Sequence, residues 1–426
     1  MNRLRGLTLA LIAVLLLPLA ASAQRETRET REGSKFIGLA MTKQSPDERA
    51  EQYRQALVHL RPAMESDADN PRVWLLAGQA LAGMGQIAEA DRVFKRALEL
   101  QPDYAEEIEA ERHDAWIGAF QLGVAAMEAD DPQRAVDLMK QAELIYSGRP
   151  EAHLYMGVMY ANDLEDYVSA ERAFRAALAA THGPLLETLE PEAQQEWIDM
   201  RTSLRHNIER MLMTLGVTYF SDEQFADAAE SFRSLTEHNP YSRDGWFNLC
   251  QALLAQSRLK TDELDALEGA AADQRRQELL ALQDDIEAVT KKAMELDPQA
   301  EILYYMLANA HTVRGNLHGT EEAVAEGQRR AYEVIQAHEA LDFTIDEINV
   351  IPEEASIRIT GVLKNRKLAP GAEVRLKLTL VNMDGETVGE DVVAVAAPAV
   401  DESVTFEVTL DATGEIAGWR YEVVAP

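Results

Sequence analysis

Between Arg72 and His338 apolar residues recur at the spacing of one helix face, and the pattern stops and restarts often enough to predict paired short helices rather than long rods. The clearest stretch runs Trp74, Ala77-Gly78, Leu81, Gly85, Ala90, Phe94, Ala97 and Pro102. Counted from Pro71, small residues fall at the eighth, twentieth and twenty-seventh positions, where two helix axes must approach closely. Large apolar residues fall at the fourth, eleventh and twenty-fourth, joined in later copies by the seventh (Leu122, Met156, Leu215), and fill the space between the axes. The proline at the thirty-second position withholds a backbone donor and ends the second helix. After Asp342 the period changes from helical to alternating. Val374, Leu376, Leu378 and Leu380 alternate with Arg375, Lys377 and Thr379, and Val404, Phe406, Val408 and Leu410 do the same against polar neighbours. Trp419, Tyr421 and Val423 continue the alternation, Asp384-Gly385 reads as a hairpin turn, and Pro370-Gly371 and Pro398 mark other turns. Six or seven strands in this region predict a small antiparallel sandwich.

The helical unit repeats. A second copy carries Leu122-Gly123, Ala126, Ala135, Met139 and Ala142; a third carries Met156-Gly157, Tyr160, Ala170, Phe174 and Ala177. The fourth, Leu215-Gly216, Tyr219, Ala228, Phe232, Leu235 and Pro240, keeps register throughout. The fifth opens Trp246, Leu249-Cys250, Leu253 and resumes at Ile286, Thr290, Ala293 and Pro298, and a looser sixth starts Tyr304, Leu307-Ala308, His311 and Gly315. A helix hairpin of about 34 residues with this pattern resembles the tetratricopeptide repeat (TPR) family. The departures are Met139 and Thr290, which stand where an aromatic is usual, and insertions that interrupt the register. The resemblance implies a mainly α fold, an α-α superhelix or TPR solenoid whose first helices line an inner groove. The C-terminal segment, with Gly361-x-Leu363-x-Asn365 and Leu380 to Gly385, resembles FxLYD-type and related immunoglobulin-like envelope modules, which implies a contact module without chemistry.

The ends and insertions set the expected domain plan. Arg3 and Arg5, the apolar run Leu7 to Leu17 and Ala21-Ser22-Ala23 form a secretory signal over residues 1–23, cleaved after Ala23. The run is well short of the roughly 20 residues that span a bilayer. No later segment is apolar enough to span, so no integral membrane segment is expected after cleavage. Residues 24–44 read as a charged linker, 45–342 as the solenoid and 343–426 as the β-sandwich. Helical insertions fall at about 181–207 and 254–285; Pro191 to Phe220 predicts one long helix of roughly 45 Å at 1.5 Å per residue. In the second insertion Leu279, Leu282, Ile286, Val289, Ala293 and Leu296 form a heptad seam, expected to pack near Leu253 and Leu259. One cysteine, Cys250, makes no internal disulfide, so an exported chain of this kind relies on packed apolar faces. A periplasmic or secreted location follows from the signal.

Charge and motif content narrow the function. The formal net charge of −32 repels phosphate backbones and anionic headgroups, so no nucleic-acid partner is expected. The nucleophile-elbow, phosphate-loop, HExxH and CxxC patterns are all missing from the sequence, and no catalytic residue, metal site or cofactor is assigned. His311 fills a large inward position of its repeat and His318 reads as solvated. The family's contact positions, carried onto this chain, place Phe120, Met127, Met213, Phe220, Phe247 and Tyr305 on the groove, without the lysines and arginines of the chaperone-tail carboxylate clamp. An apolar groove of this kind points to a protein or peptide partner in the cell envelope and a scaffold rather than an enzyme. The competing expectation is an extracytoplasmic small-molecule-binding accessory of an envelope transport system. An enzyme would show His206 or His238 clustered with other titratable groups beside a pocket.

Overall fold

The computed structural model describes residues 26–264, 266–352 and 356–424; the expected signal, 1–23, lies outside them. Among the described residues, fourteen α-helices precede six strands. They divide into two units, one holding the chain up to Leu164 with Ala179–Glu190, the other Glu165–Leu178 and everything from Pro191 onward.

The first unit contains α1 (Arg28–Met41), α2 (Pro46–Ser66), α3 (Pro71–Gly83), α4 (Ile87–Leu100), α5 (Ala105–Glu128), α6 (Pro132–Ile145) and α7 (Pro150–Asn162). Consecutive helices pair as α1 with α2, α3 with α4 and α5 with α6. The expected linker over 24–44 is therefore corrected: most of it is α1. Thr27 and Thr30 form a reciprocal capping box, the Thr30 amide donating to Thr27 Oγ1 at 3.2 Å and the Thr27 amide to Thr30 Oγ1 at 2.9 Å. Gly33 lets the helix lie directly on Leu60, where a Cβ would come within 2.7 Å of the leucine, and Phe36 stacks on His59 at 5.8 Å. The dense charges of this segment occupy the outer face and conceal a short apolar stripe.

The repeat's eighth position behaves as the pattern predicts. A Cβ at Gly78 would collide with the Phe94 ring, and at Gly123 it would stand 2.8 Å from Met139 Cε. The fourth position has a second role. Trp74 Nε1 donates to the carbonyl of Ala68 at 2.8 Å, Trp246 Nε1 to Pro240 at 2.8 Å and Tyr304 Oη to Pro298 at 2.9 Å. In each case the aromatic reaches back six residues and satisfies a carbonyl in the preceding turn, which explains why it is an indole or a phenol rather than a leucine.

The second unit adds α8 (Tyr167–Ala180), α9 (Pro191–Ser221), α10 (Phe225–His238), α11 (Arg243–Leu264), α12 (Gly269–Leu296), α13 (Glu301–His318) and α14 (Glu321–Ala340). The 31 residues of α9 form one helix of about 46 Å. The second insertion is a self-contained antiparallel hairpin. The end of α11 and the start of α12 join through a buried bond from Gln283 Nε2 to Ser257 Oγ at 2.7 Å and through the pairs Lys260–Glu278 and Arg275–Glu263. Five of the six seam residues are buried, but Leu259 is 46% exposed. At the α9–α10 crossing a Cβ on Gly216 would collide with the Phe232 ring. In the next repeat the same two positions hold Cys250 and Thr290, with Sγ and Oγ1 3.6 Å apart. A larger eighth residue is met by a smaller twenty-fourth, so the missing aromatic at Thr290 is volume compensation. Burial pushes the Cys250 thiol up to about 11, which leaves it unreactive. In the last pair the backbones themselves touch, since a Cβ on Gly327 would stand 2.6 Å from the His311 carbonyl.

The C-terminal strands are β1 (Phe343–Pro352), β2 (Ser356–Asn365), β3 (Glu373–Val381), β4 (Thr387–Ala396), β5 (Ser403–Asp411) and β6 (Gly418–Val424). They form two antiparallel sheets, ordered β1-β2-β5 and β4-β3-β6. Ile359, Leu363, Phe406 and Leu410 from the first sheet share one core with Leu376, Leu378, Leu380 and Trp419 from the second. Asn365 organises one end, accepting from the amides of Lys367 and Leu368 and donating to the carbonyls of Leu368 and Pro398 at 2.9 and 2.8 Å. Register slips in β1 between Asp346 and Asn349, where Glu347 sits at a φ of 50°, a left-handed conformation costly for a side-chain-bearing residue.

Candidate functional site

The sandwich is seated on the helices of its own unit through two residues that precede terminating prolines. Asn239 Nδ2 donates to the Ala417 carbonyl at 2.7 Å, and Asp297 accepts from Tyr421 Oη at 2.6 Å. Asp297 also binds Arg243, whose guanidinium lies 5.6 Å over the Trp419 ring. Arg205 pairs with Glu415 at 2.6 Å, and Arg366 donates to His338 Nε2 at 2.7 Å. Tyr241 packs so tightly on Gly418 that a Cβ there would come within 2.6 Å of the Tyr241 carbonyl.

This seating leaves a half-open cavity of about 540 Å³ lined by the starts of α11 and α13 and by β1. Phe247 and Tyr305 line it with Ile345 and Ile348, and Asp244, Glu301, Asp346 and Glu347 surround the apolar surface. Burial, reinforced by Glu301 and Asp297, holds the Asp346 carboxyl above the usual range. The Glu301 carboxylate raises the Tyr305 hydroxyl, while burial and Arg366 lower His338.

The Asp346 shift carries a stability prediction. A carboxyl raised in the fold contributes stability below its unfolded value, near 3.9, and loses it as pH rises through the folded value. Asp346→Asn should therefore raise the melting temperature at pH 7, and the gain over wild type should vanish as pH falls toward 4. Thermal melts across that range check it; an equal gain at both ends would show that Asp346 carries no buried charge.

Of the six residues read from sequence, Phe247 and Tyr305 meet at this cavity, and Tyr305 is 47% exposed. Met213 and Phe220 are half-buried against the same apolar cluster as Phe247; Met213 Sδ accepts from Asn248 Nδ2 at 3.4 Å, and Phe220 meets Phe225 edge-on at 5.2 Å. Phe120 and Met127 lie half-buried in the first unit, with Phe120 stacked on Trp116 at 4.9 Å and edge-on to Tyr155 at 5.3 Å. The acidic surround was missed. Only the second position of the fifth repeat, Asp244, signals it locally; Asp346 arrives from another domain.

A second cavity of about 780 Å³ is lined by His206, Glu209, Tyr241, Ser242 and Trp419 among others. Here a histidine does stand beside a carboxyl that burial raises. Ser242 Oγ, however, accepts from the Gly245 amide at 3.2 Å as the cap of α11, and no hydrogen bond joins it to His206. His238 does not line this cavity; burial lowers it on α10. His311 is buried 3.7 Å from Glu287, and His318 is exposed.

With the Gly–aromatic crossings in place, two stretches of the chain match known repeat families. Residues 49–110 and 213–277 each match a tetratricopeptide repeat family. These two segments carry the tetratricopeptide repeat pattern. Solved TPR structures are similar at low identity. MamA 41-end from Desulfovibrio magneticus RS-1 is 16% identical over 50% of this chain and 96% of that one, with a TM-score of 0.20. The P58(IPK) TPR domain is 14% identical over 72% and 99%, with a TM-score of 0.20. The TPR2AB domain of yeast Sti1, in complex with pHSP90, is 15% identical over 73% and 95%, with a TM-score of 0.19. No curated protein matches the chain.

Proposed function

We propose that this chain is an exported, non-catalytic TPR scaffold of the cell envelope that holds a protein partner by burying an apolar segment against its first helices. The contacts are Phe120 and Met127 in the first unit and Met213, Phe220, Phe247 and Tyr305 in the second. The observation that carries the reading is that first-helix apolar side chains remain open to solvent after folding. Val217 is 49% exposed and Tyr305 47%, beside half-buried Phe220 and Phe247. Open apolar surface at recurring positions is what a binding face requires. The residues before the cleavage site support export, and among the described residues no helix is long and apolar enough to cross a membrane. The sandwich, six strands with Gly361 making room for Phe406, supports an FxLYD or immunoglobulin-like contact module.

Crosslinking in the native envelope, followed by isolation of the chain, tests the reading. The recovered protein should begin at Gln24 and carry a partner. Phe220→Glu with Phe247→Glu should abolish capture while the helical circular-dichroism signal persists. Tyr305→Ala, on an exposed ring, should weaken capture without a stability loss. Undiminished capture by both variants would reject the groove assignment.

A further inference from the structure

The cavity between α11, α13 and β1 holds more negative charge than its own side chains relieve. Asp244, Glu301, Asp346 and Glu347 line it. One cation, Arg243, also lines the cavity, but it is bound by a fifth lining carboxylate, Asp297, and nearby Arg366 donates to the ring and carbonyl of His338. Lys364 acts on Asp346 only as a secondary influence, and the carboxyl stays raised despite it. The same cavity is lined by Phe247, Tyr305, Ile345 and Ile348.

That combination selects its occupant. Carboxylates call for a cation, and the aromatic and aliphatic walls call for a cation with a weakly hydrated, flat head and an apolar stem. A guanidinium on its methylene chain has both properties. A metal ion suits the site poorly, because among the described residues no three acidic or histidine groups converge closely enough to hold one. The volume of about 540 Å³ admits one long side chain with its flanking backbone. The chain's net charge of −32 steers basic partners toward it.

We propose that this cavity seats a basic side chain, arginine by preference, presented by the partner segment. The inference rests on the scaffold reading and adds the partner's chemistry: an apolar stretch with a basic residue placed to enter beside Phe247 and Tyr305.

Random peptides displayed on phage are selected against the full mature chain and against its Glu301→Gln/Asp346→Asn variant. Peptides selected by the wild type should contain arginine or lysine. They should bind on the order of tenfold or more weakly when that residue becomes glutamine, and lose as much against the variant. The variant should melt at or above the wild-type temperature, because it removes crowded carboxylates, so weaker binding cannot be a folding defect. Selected peptides that are apolar without a basic residue, or that bind the variant equally, overturn the cavity assignment and leave the apolar-contact reading standing. If no peptide is selected but acetyl-arginine methylamide binds in calorimetry and is lost in the variant, the cavity's chemistry stands and the scaffold reading falls. No binding of either probe overturns both. Spermidine binding as tightly as the best peptide assigns the cavity to a free organic cation and overturns the partner side chain.

Discussion

Changing Phe232 to alanine should destabilise the second unit by about 3–5 kcal/mol, the cost of deleting a buried aromatic that its surroundings cannot replace. The ring is 2% exposed and lies where a Cβ on Gly216 would collide with it. Gly216→Ala attacks the same crossing from the other side. The added methyl must push aside a ring held on every face, and overpacking of this kind costs about 1–3 kcal/mol, enough to outweigh the helix-propensity gain of about 1 kcal/mol. The next repeat shows how the crossing can be rebuilt. There Cys250 and Thr290 occupy the equivalent places and remain buried. Gly216→Cys combined with Phe232→Thr should therefore be less damaging than the sum of the single changes, with a coupling of about 0.5–3 kcal/mol. Urea titration of the four proteins measures it. Strict additivity would mean that the two positions do not share one packing problem.

That pairing also explains how much of the fold was legible. Helix hairpins could be read because close approach admits few residue types, so Gly78, Gly123 and Gly216 recur on schedule. Met139 and Thr290 looked like departures from the repeat, yet each is sized to its partner across the crossing: Met139 to Gly123 and Thr290 to Cys250. Sheet alternation was equally direct, since Leu376, Leu378 and Leu380 point to one core and the intervening residues to its outer side. What escaped the sequence has a common cause. The α1 helix is capped by two threonines and packs through Gly33, Phe36 and Ala40, a stripe too thin to stand out among its charges. Leu259 continues an apolar pattern but stays exposed, because at the far end of the insertion hairpin Leu279 and the polar pairs make the contact instead. The acidic cavity combines residues from α11, α13 and β1, and only tertiary structure makes Asp244, Glu301 and Asp346 neighbours. Phe247 and Tyr305 could be read because both occupy the fifth position of their repeats.

The residues before the repeat-terminating prolines lead to the second large effect. Asn239 and Asp297 hold the same position in successive repeats, are 1% and 2% exposed, and each binds the sandwich. A turn that ends one hairpin and begins the next thus offers a fixed polar group at regular intervals, and this chain uses two of them to seat a domain. Asp297 carries more of that contact because it satisfies both the buried Tyr421 hydroxyl and the Arg243 guanidinium. Asp297→Ala leaves the Arg243 guanidinium without its carboxylate and the Tyr421 hydroxyl, which still accepts from the Gln299 amide at 3.3 Å, without an acceptor for its proton; breaking a buried ion pair from one side costs about 3–5 kcal/mol. Tyr421→Phe removes the bond donated to charged Asp297 and the longer one accepted from the Gln299 amide, but leaves the Asp297–Arg243 pair intact, so it should cost about 1.5–3 kcal/mol. The location of the loss is as informative as its size. The sandwich core of Ile359, Leu378, Phe406 and Trp419 does not depend on Asp297, so the variant should melt in two steps, helices and sandwich separately. Protease should then cut near Leu341 and Asp342, where α14 passes into β1, while the near-ultraviolet signal of Trp419 falls as it loses Arg243. A single transition at the wild-type midpoint, with that junction still protected, would show that the sandwich is held by its other contacts and that the Asp297 node is not what fixes it.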